Sequence, residues 1–136
     1  ANWKQVQCAD SSAITPSPRD LPALVALPNS RVLIAGGFGL VEVDDAMMTE
    51  EGEGEGGDGV ELSYLGDFWT VDVNVAASTS IYTQLYGEEE QGDTLWADAS
   101  GRRGCKVLAR PDGSLLSFGG FNGEGFCSAL EATVLS

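Results

Sequence analysis

A twenty-residue stretch of this chain recurs without a gap. Arg19 to Phe38 aligns with Arg102 to Phe121 at a constant offset of 83, which pairs Arg19 with Arg102, Ala26 with Ala109, Pro28 with Pro111, Leu33 with Leu116 and Gly36-Gly37-Phe38 with Gly119-Gly120-Phe121. A repeat limits the fold more than any other sequence feature. Each copy is one small unit that cannot bury its own apolar face, so it must stack on a neighbour. Both copies read as two short strands around a tight turn. In the second, Lys106 to Arg110 leads into Pro111-Asp112-Gly113-Ser114, and Leu115 to Phe118 leads into the double glycine. Proline presets one turn dihedral and glycine accepts a positive one, so this is a hairpin signal with a mechanism. Pro28-Asn29-Ser30 is its weaker counterpart.

A third strand is expected after each Gly-Gly, at Tyr64–Val73 in the first copy and Phe126–Leu135 in the second. A fourth follows the first copy at Ile81–Leu85, and Trp3–Val6 reads as an isolated fourth strand before the first repeat. β-Branched and aromatic residues fill these runs, while Gly, Pro, Asn, Asp and Ser lie between them. No ten-residue segment has helical periodicity. The chain is therefore expected to be all-β, with antiparallel sheets arranged as one orphan strand, one four-stranded unit and one three-stranded unit.

These residues resemble the Kelch repeat of β-propellers. The likeness rests on an Arg before the first strand, on apolar runs ending in Gly-Gly (Val32 to Gly37, Leu115 to Gly120), on Gly66-Asp67-Phe68-Trp69-Thr70-Val71-Asp72, and on Trp3 three residues before Val6. It covers nearly all of the chain outside the acidic stretches. Two departures stand out. Ile81 or Tyr82 occupies the place of the usual fourth-strand Trp, and Ala129, Glu131 and Val134 replace the Asp67, Trp69 and Asp72 of the first unit. The resemblance implies an incomplete propeller of about two blades. Its parts are an orphan strand at 3–6, a first blade at 19–85 with an acidic insertion at 41–63, an acidic linker at 86–101, and a second, incomplete blade at 102–136. Gly36, Gly37, Gly119, Gly120, Trp3, Trp69, Asp67, Asp72, Arg19 and Arg102 are its structural motif residues.

A Kelch repeat spans about 50 residues, so an offset of 83 leaves an excess, and the excess is acidic. No Lys or Arg occurs from Val32 to Gly101, yet that stretch holds 16 of the 21 acids; the remainder of the chain has five acids and seven bases. In a blade whose strands alternate direction, the loops after strands two and four leave on the same side. The two insertions are therefore expected to share one face. Glu50, Glu51, Glu53, Glu55, Asp58, Glu88, Glu89 and Glu90 on that face are the candidate contacts to a basic partner surface.

Composition excludes several functions. A formal charge of -14 is the wrong sign for nucleic acid or an anionic membrane, and no apolar run reaches the ~20 residues of a spanning helix. The chain has no His, which removes Ser-His-Asp and Cys-His catalysis and imidazole-based metal sites, including the copper sites of propeller oxidases. Each Gly-Gly reads as a close backbone approach, because the helix that a phosphate cradle needs does not follow. Alternating Glu and Gly from Glu50 to Gly59 offers carboxylates on a backbone too flexible for a preorganised calcium loop. Cys8, Cys105 and Cys127 are odd in number, form no C-x-x-C pair and read as thiols, which favours an intracellular setting, cytoplasmic or (after removal of a targeting peptide) organellar. No cofactor or metal is expected, and no catalytic residue. The expected function is a non-catalytic protein-interaction scaffold. The alternative is a structural accessory subunit of a large complex, with the acidic loop a solvated spacer. Two blades do not close a ring. A longer propeller is favoured, with a small subunit of an assembly or a ring of several copies as the other arrangements.

Overall fold

The computed structural model describes residues 2–42, 59–86, 96 and 101–134. Among the described residues there are eleven strands: β1 (Gln7–Cys8), β2 (Arg19–Asp20), β3 (Ala23–Leu27), β4 (Arg31–Ala35), β5 (Phe38–Glu42), β6 (Val60–Tyr64), β7 (Phe68–Asn74), β8 (Thr79–Tyr86), β9 (Lys106–Ala109), β10 (Ser114–Phe118) and β11 (Leu130–Val134). The chain is all-β. Among the described residues there is no helix and no closed ring of sheets.

The largest sheet has the order β1-β8-β7-β4-β3. Its four antiparallel members form a meander in chain order, as expected for the first unit. The second unit is β9-β10-β11, also antiparallel. The repeat offset survives in the register: Ala26 faces Val32 and Ala109 faces Leu115, while Ala23 faces Ala35 and Lys106 faces Phe118. The third strands are equivalent as well, because Ala35 faces Phe68 and Phe118 faces Leu130. Turn chemistry explains the hairpins. Gly113 takes a φ of 86°, and Asp112 accepts hydrogen bonds from the Ser114 N–H and hydroxyl. Ser30 occupies the position equivalent to Gly113 with a φ of 60°, beside Asn29 at 63°.

Four boundaries differ from the sequence expectation, one being that β11 begins at Leu130, four residues after the expected Phe126. Tyr64 is the last residue of a separate hairpin, and the third strand begins at Phe68. That hairpin, β5–β6, uses the two ends of the stretch assigned to the acidic insertion at 41–63. Leu40 faces Leu62 and Phe38 faces Tyr64, and β2 completes a small sheet of order β2-β5-β6. Cross-strand apolar pairs of this kind stabilise a hairpin whatever charge its connection carries. Finally, residues 3–6 form no strand. The N-terminal pairing falls at Gln7–Cys8, and it joins the outer strand of the same sheet in parallel, with Gln7 beside Thr79 and Cys8 beside Ser80.

The core lies between the five-stranded sheet and the β9-β10-β11 sheet. Ala23, Val25, Leu33, Ala35 and Phe68 contribute from one side and Cys105 and Leu115 from the other. Inward positions alternate along the strands, as the pleat requires. Trp96, 2% exposed, completes this cluster, with its ring centroid 4.7 Å from that of Phe68 and its indole N–H donating to Ser117 Oγ at 2.9 Å.

Candidate protein-binding face

The repeated arginines are buried braces. Arg19 makes a bidentate pair with Asp67, Nη1 to Oδ1 at 2.5 Å and Nη2 to Oδ2 at 3.0 Å, and also donates to the Gly36 carbonyl at 3.0 Å. The Trp69 indole N–H donates to the same carboxylate at 2.7 Å. One buried Asp thus joins the segment before the first strand, the double glycine and the third strand. Charge-assisted, bidentate bonds are the strong and directional ones. Arg102, 1% exposed, pairs instead with Glu131 at 3.0 Å and stacks on Trp96 with its guanidinium carbon 4.7 Å from the ring centroid. By register Glu131 is the equivalent of Trp69, so the second unit supplies its carboxylate from a different position.

The double glycines are not alike in their surroundings. At Gly36 (φ 62°) an added Cβ meets the Arg102 carbonyl at 2.5 Å and the Trp96 ring at 2.7 Å; Gly37 (φ 111°) lies against the Asp20 carbonyl. At Gly119 (φ 79°) the space is open, and Gly120 (φ 95°) borders Arg103 and Cys105. Trp69 is buried, Asp72 is exposed opposite Arg31, and Trp3 is fully exposed. The eight acidic candidates, Glu50, Glu51, Glu53, Glu55, Asp58, Glu88, Glu89 and Glu90, lie outside the described residues.

Where the acidic segments leave the scaffold is well defined. Ala35, Phe68 and Tyr86 sit side by side in one row at one end of the five-stranded sheet. The chain departs from that row twice, through the β5–β6 hairpin and after Tyr86. It returns from the second excursion against the base of the hairpin. The Arg102 N–H donates to the Leu65 carbonyl at 3.2 Å, the Gly37 N–H to the Arg102 carbonyl at 2.8 Å, and the Leu65 N–H to the Gly37 carbonyl at 2.8 Å. The connections 43–58 and 87–100 carry twelve of the 21 acids and no base.

An aromatic row starts at the same place. Ring centroids are 4.9 Å apart for Phe38 and Tyr64, 5.7 Å for Tyr64 and Phe121, and 5.2 Å for Phe121 and Phe126. Arg103 lies over the Phe38 and Tyr64 rings at 5.3 and 5.8 Å. The sequence reading missed this row and Trp96. The alternation of Val60-Glu61-Leu62-Ser63-Tyr64 and the lone Trp in an acidic stretch were the available signals.

The remaining chemistry is sparse. An open cleft of about 630 Å3 beside β11 has the Arg102–Glu131 pair and Glu124 at its wall. Burial pushes the Cys105 thiol above its ordinary value, with Arg102 opposing, which makes it a poor nucleophile. No group of three or more His, Cys, Asp or Glu among the described residues could hold a metal ion, and no helix there is long and apolar enough to cross a membrane. No family model matches the chain, and no curated protein matches it.

Proposed function

We propose that this chain is a non-catalytic protein-interaction scaffold built from Kelch-like blades, and that its acidic face docks the basic surface of a partner protein. The observation carrying this reading is that the hairpin bearing the first acidic connection and the start of the second leave the same end of the five-stranded sheet, with the Leu65, Gly37 and Arg102 backbone bonds holding the hairpin base to the returning chain. Twelve acids tethered to one end of a scaffold generate a field that speeds encounter with a cationic surface and selects against anionic ones. A rigid sheet presenting long connections is a common basis for binding without catalysis. The test uses a peptide alternating Lys and Ser. Binding that weakens as salt rises, and that is lost when Glu50, Glu51, Glu53, Glu55 and Asp58 are made neutral, supports the reading. Unchanged affinity and salt slope in that variant defeats it.

A second reading, a structural accessory subunit of a large multiprotein complex such as an organellar one, is favoured by a different feature. Leu108, Phe118, Leu130 and Val134 share one outward face of the β9-β10-β11 sheet, and all four are exposed. Such a face is one that further blades, other copies or a larger assembly would cover. Light scattering coupled to size-exclusion chromatography distinguishes the two, because a stable, monodisperse 14.2 kDa monomer leaves that face with nothing to bury.

A further inference from the structure

We propose that the outward face of the β5–β6 hairpin, continued by Phe121 and Phe126, is an anchor site for apolar side chains flanked by Lys or Arg in a partner protein. The proposal rests on the acidic-face reading and adds to it the place where the partner's apolar residues seat.

Strand alternation puts Phe38 and Leu40 of β5 and Leu62 and Tyr64 of β6 on one side of the hairpin, and the registers Leu40–Leu62 and Phe38–Tyr64 put them in two adjacent pairs. Leu40 is 46% exposed and Leu62 58%, so the distal pair is open to solvent. The proximal pair runs without a break into Phe121 and then Phe126, which is 89% exposed. The result is a stripe of aliphatic and aromatic groups from one end of the hairpin to the second unit. Scattered apolar residues on a surface need no explanation, but a contiguous stripe rich in aromatic rings marks a contact site.

Charge decides the occupant. The connection from β5 to β6 carries seven acids and no base, and Glu42 and Glu61 belong to the two strands themselves. A second copy of this chain, at a formal charge of -14, brings the same sign to the same place. A basic segment brings the opposite sign. The stripe also holds a cation of its own, since Arg103 sits over the faces of Phe38 and Tyr64. Aromatic faces of this kind accept guanidinium and ammonium groups, and Phe126, 89% exposed at one end of the stripe, offers a further one to the flanking charges of such a segment.

The test compares two peptides of equal charge, one alternating Lys with Leu and the other Lys with Ser, on the full chain by fluorescence anisotropy. The expected result is about tenfold tighter binding of the Lys–Leu peptide, an advantage lost in the Leu40→Ser, Leu62→Ser, Phe126→Ser variant. Circular dichroism and the urea midpoint confirm that the variant is folded, and the single Phe126→Ser change, at a nearly free side chain, gives a partial loss if the triple variant fails to fold. Equal binding of both peptides to the parent chain overturns the anchor and leaves the acidic-face reading intact. A Lys–Leu advantage that survives in both variants also overturns it. Lys–Leu binding that needs the stripe but is indifferent to neutralised acids sustains the anchor and defeats the acidic-face reading.

Discussion

The guanidinium of Arg102 lies over the indole of Trp96, 4.7 Å from its centroid, and both side chains are buried. A residue from the long acidic connection thereby reaches back into the core and locks the arginine that begins the second unit. Nη1 of the same guanidinium donates to Glu131, so one cation serves a ring and a carboxylate together. The acidic connection is therefore part of the folding unit at this point.

Replacing Trp96 by Ala is expected to cost about 4 kcal/mol, since a large ring leaves a cavity among Phe68, Leu115 and Val107. Trp96→Phe keeps most of the volume and loses the bond to Ser117, for a cost of about 1 kcal/mol. Urea unfolding measures both. Tryptophan fluorescence provides a control: acrylamide quenches Trp3 readily and leaves Trp96 and Trp69 shielded.

Asp67 sits at the centre of the other brace. Asp67→Ala leaves the Arg19 guanidinium buried without its carboxylate and the Trp69 indole without its acceptor, and is expected to cost about 3–5 kcal/mol. Asp72→Ala, on the same strand but exposed, is expected to change stability by less than about 0.5 kcal/mol. Equal losses from the two substitutions would remove the brace from the account.

The two double glycines should respond unequally. Gly36→Ala puts a methyl group against the Arg102 carbonyl and the Trp96 ring at a left-handed φ, with an expected loss of about 3 kcal/mol or more. Gly119→Asn has open space and a residue type that tolerates this region, and its cost is expected to stay near 1 kcal/mol. Thermal and urea denaturation of the pair give the comparison directly.

Cys105 sets an alkaline limit. Its thiol value is raised by burial, so the folded state holds the proton more tightly than the unfolded chain does. The associated stability is present in full below the ordinary thiol value of 9.0 and falls as the pH rises through the higher folded value. Cys105→Ala is expected to flatten that alkaline decline in the urea midpoint. In the parent chain, iodoacetamide is expected to modify the half-buried Cys8 and Cys127 before Cys105, as read by mass spectrometry of peptides.

Asp112 gives the opposite sign. Hydrogen bonds from Ser114 hold its carboxyl below the usual carboxylate value. Its support of the β9–β10 turn is present above that ordinary value and is lost as the pH falls through the lower folded one. Asp112→Ala is expected to reduce stability at neutral pH and to make no difference in strong acid.

Much of the scaffold was legible because it depends on local chemistry. The Pro-Asp-Gly turn, the short apolar runs and the two Gly-Gly ends specify the hairpins β3–β4 and β9–β10, and the 83-residue offset carries through to their registers. The third strands also align as expected, with Glu131 in the place of Trp69. The hairpin β5–β6 was hidden by its connection. Seven acids between the strands drew attention to charge, while Leu40 and Leu62, which hold the pair together, are 22 residues apart in the chain. The N-terminal pairing was misplaced for a different reason. Trp3 suggests a strand by its propensity, but the observed parallel contact at Gln7–Cys8 rests on backbone bonds to Ser78 and Ser80, which leave no side-chain pattern to read. Of the candidate site, strand alternation accounts only for the chain leaving the sheet at the same end after β4 and after β8; the acids themselves lie outside the described residues. The aromatic row joins residues from two units, and contacts of that kind depend on tertiary packing.

The joint between β4 and β7 spans residues 36–67, whereas the equivalent joint between β10 and β11 spans 119–129. One molecule therefore closes the same ladder in two ways, one with a short tether and one with a tether 21 residues longer. The short version shows that a ladder of the same register forms in the second unit without such a hairpin. What the hairpin carries is thus free to vary independently of the ladder beneath it, and the chain can be viewed as a fixed chassis with one exchangeable cassette.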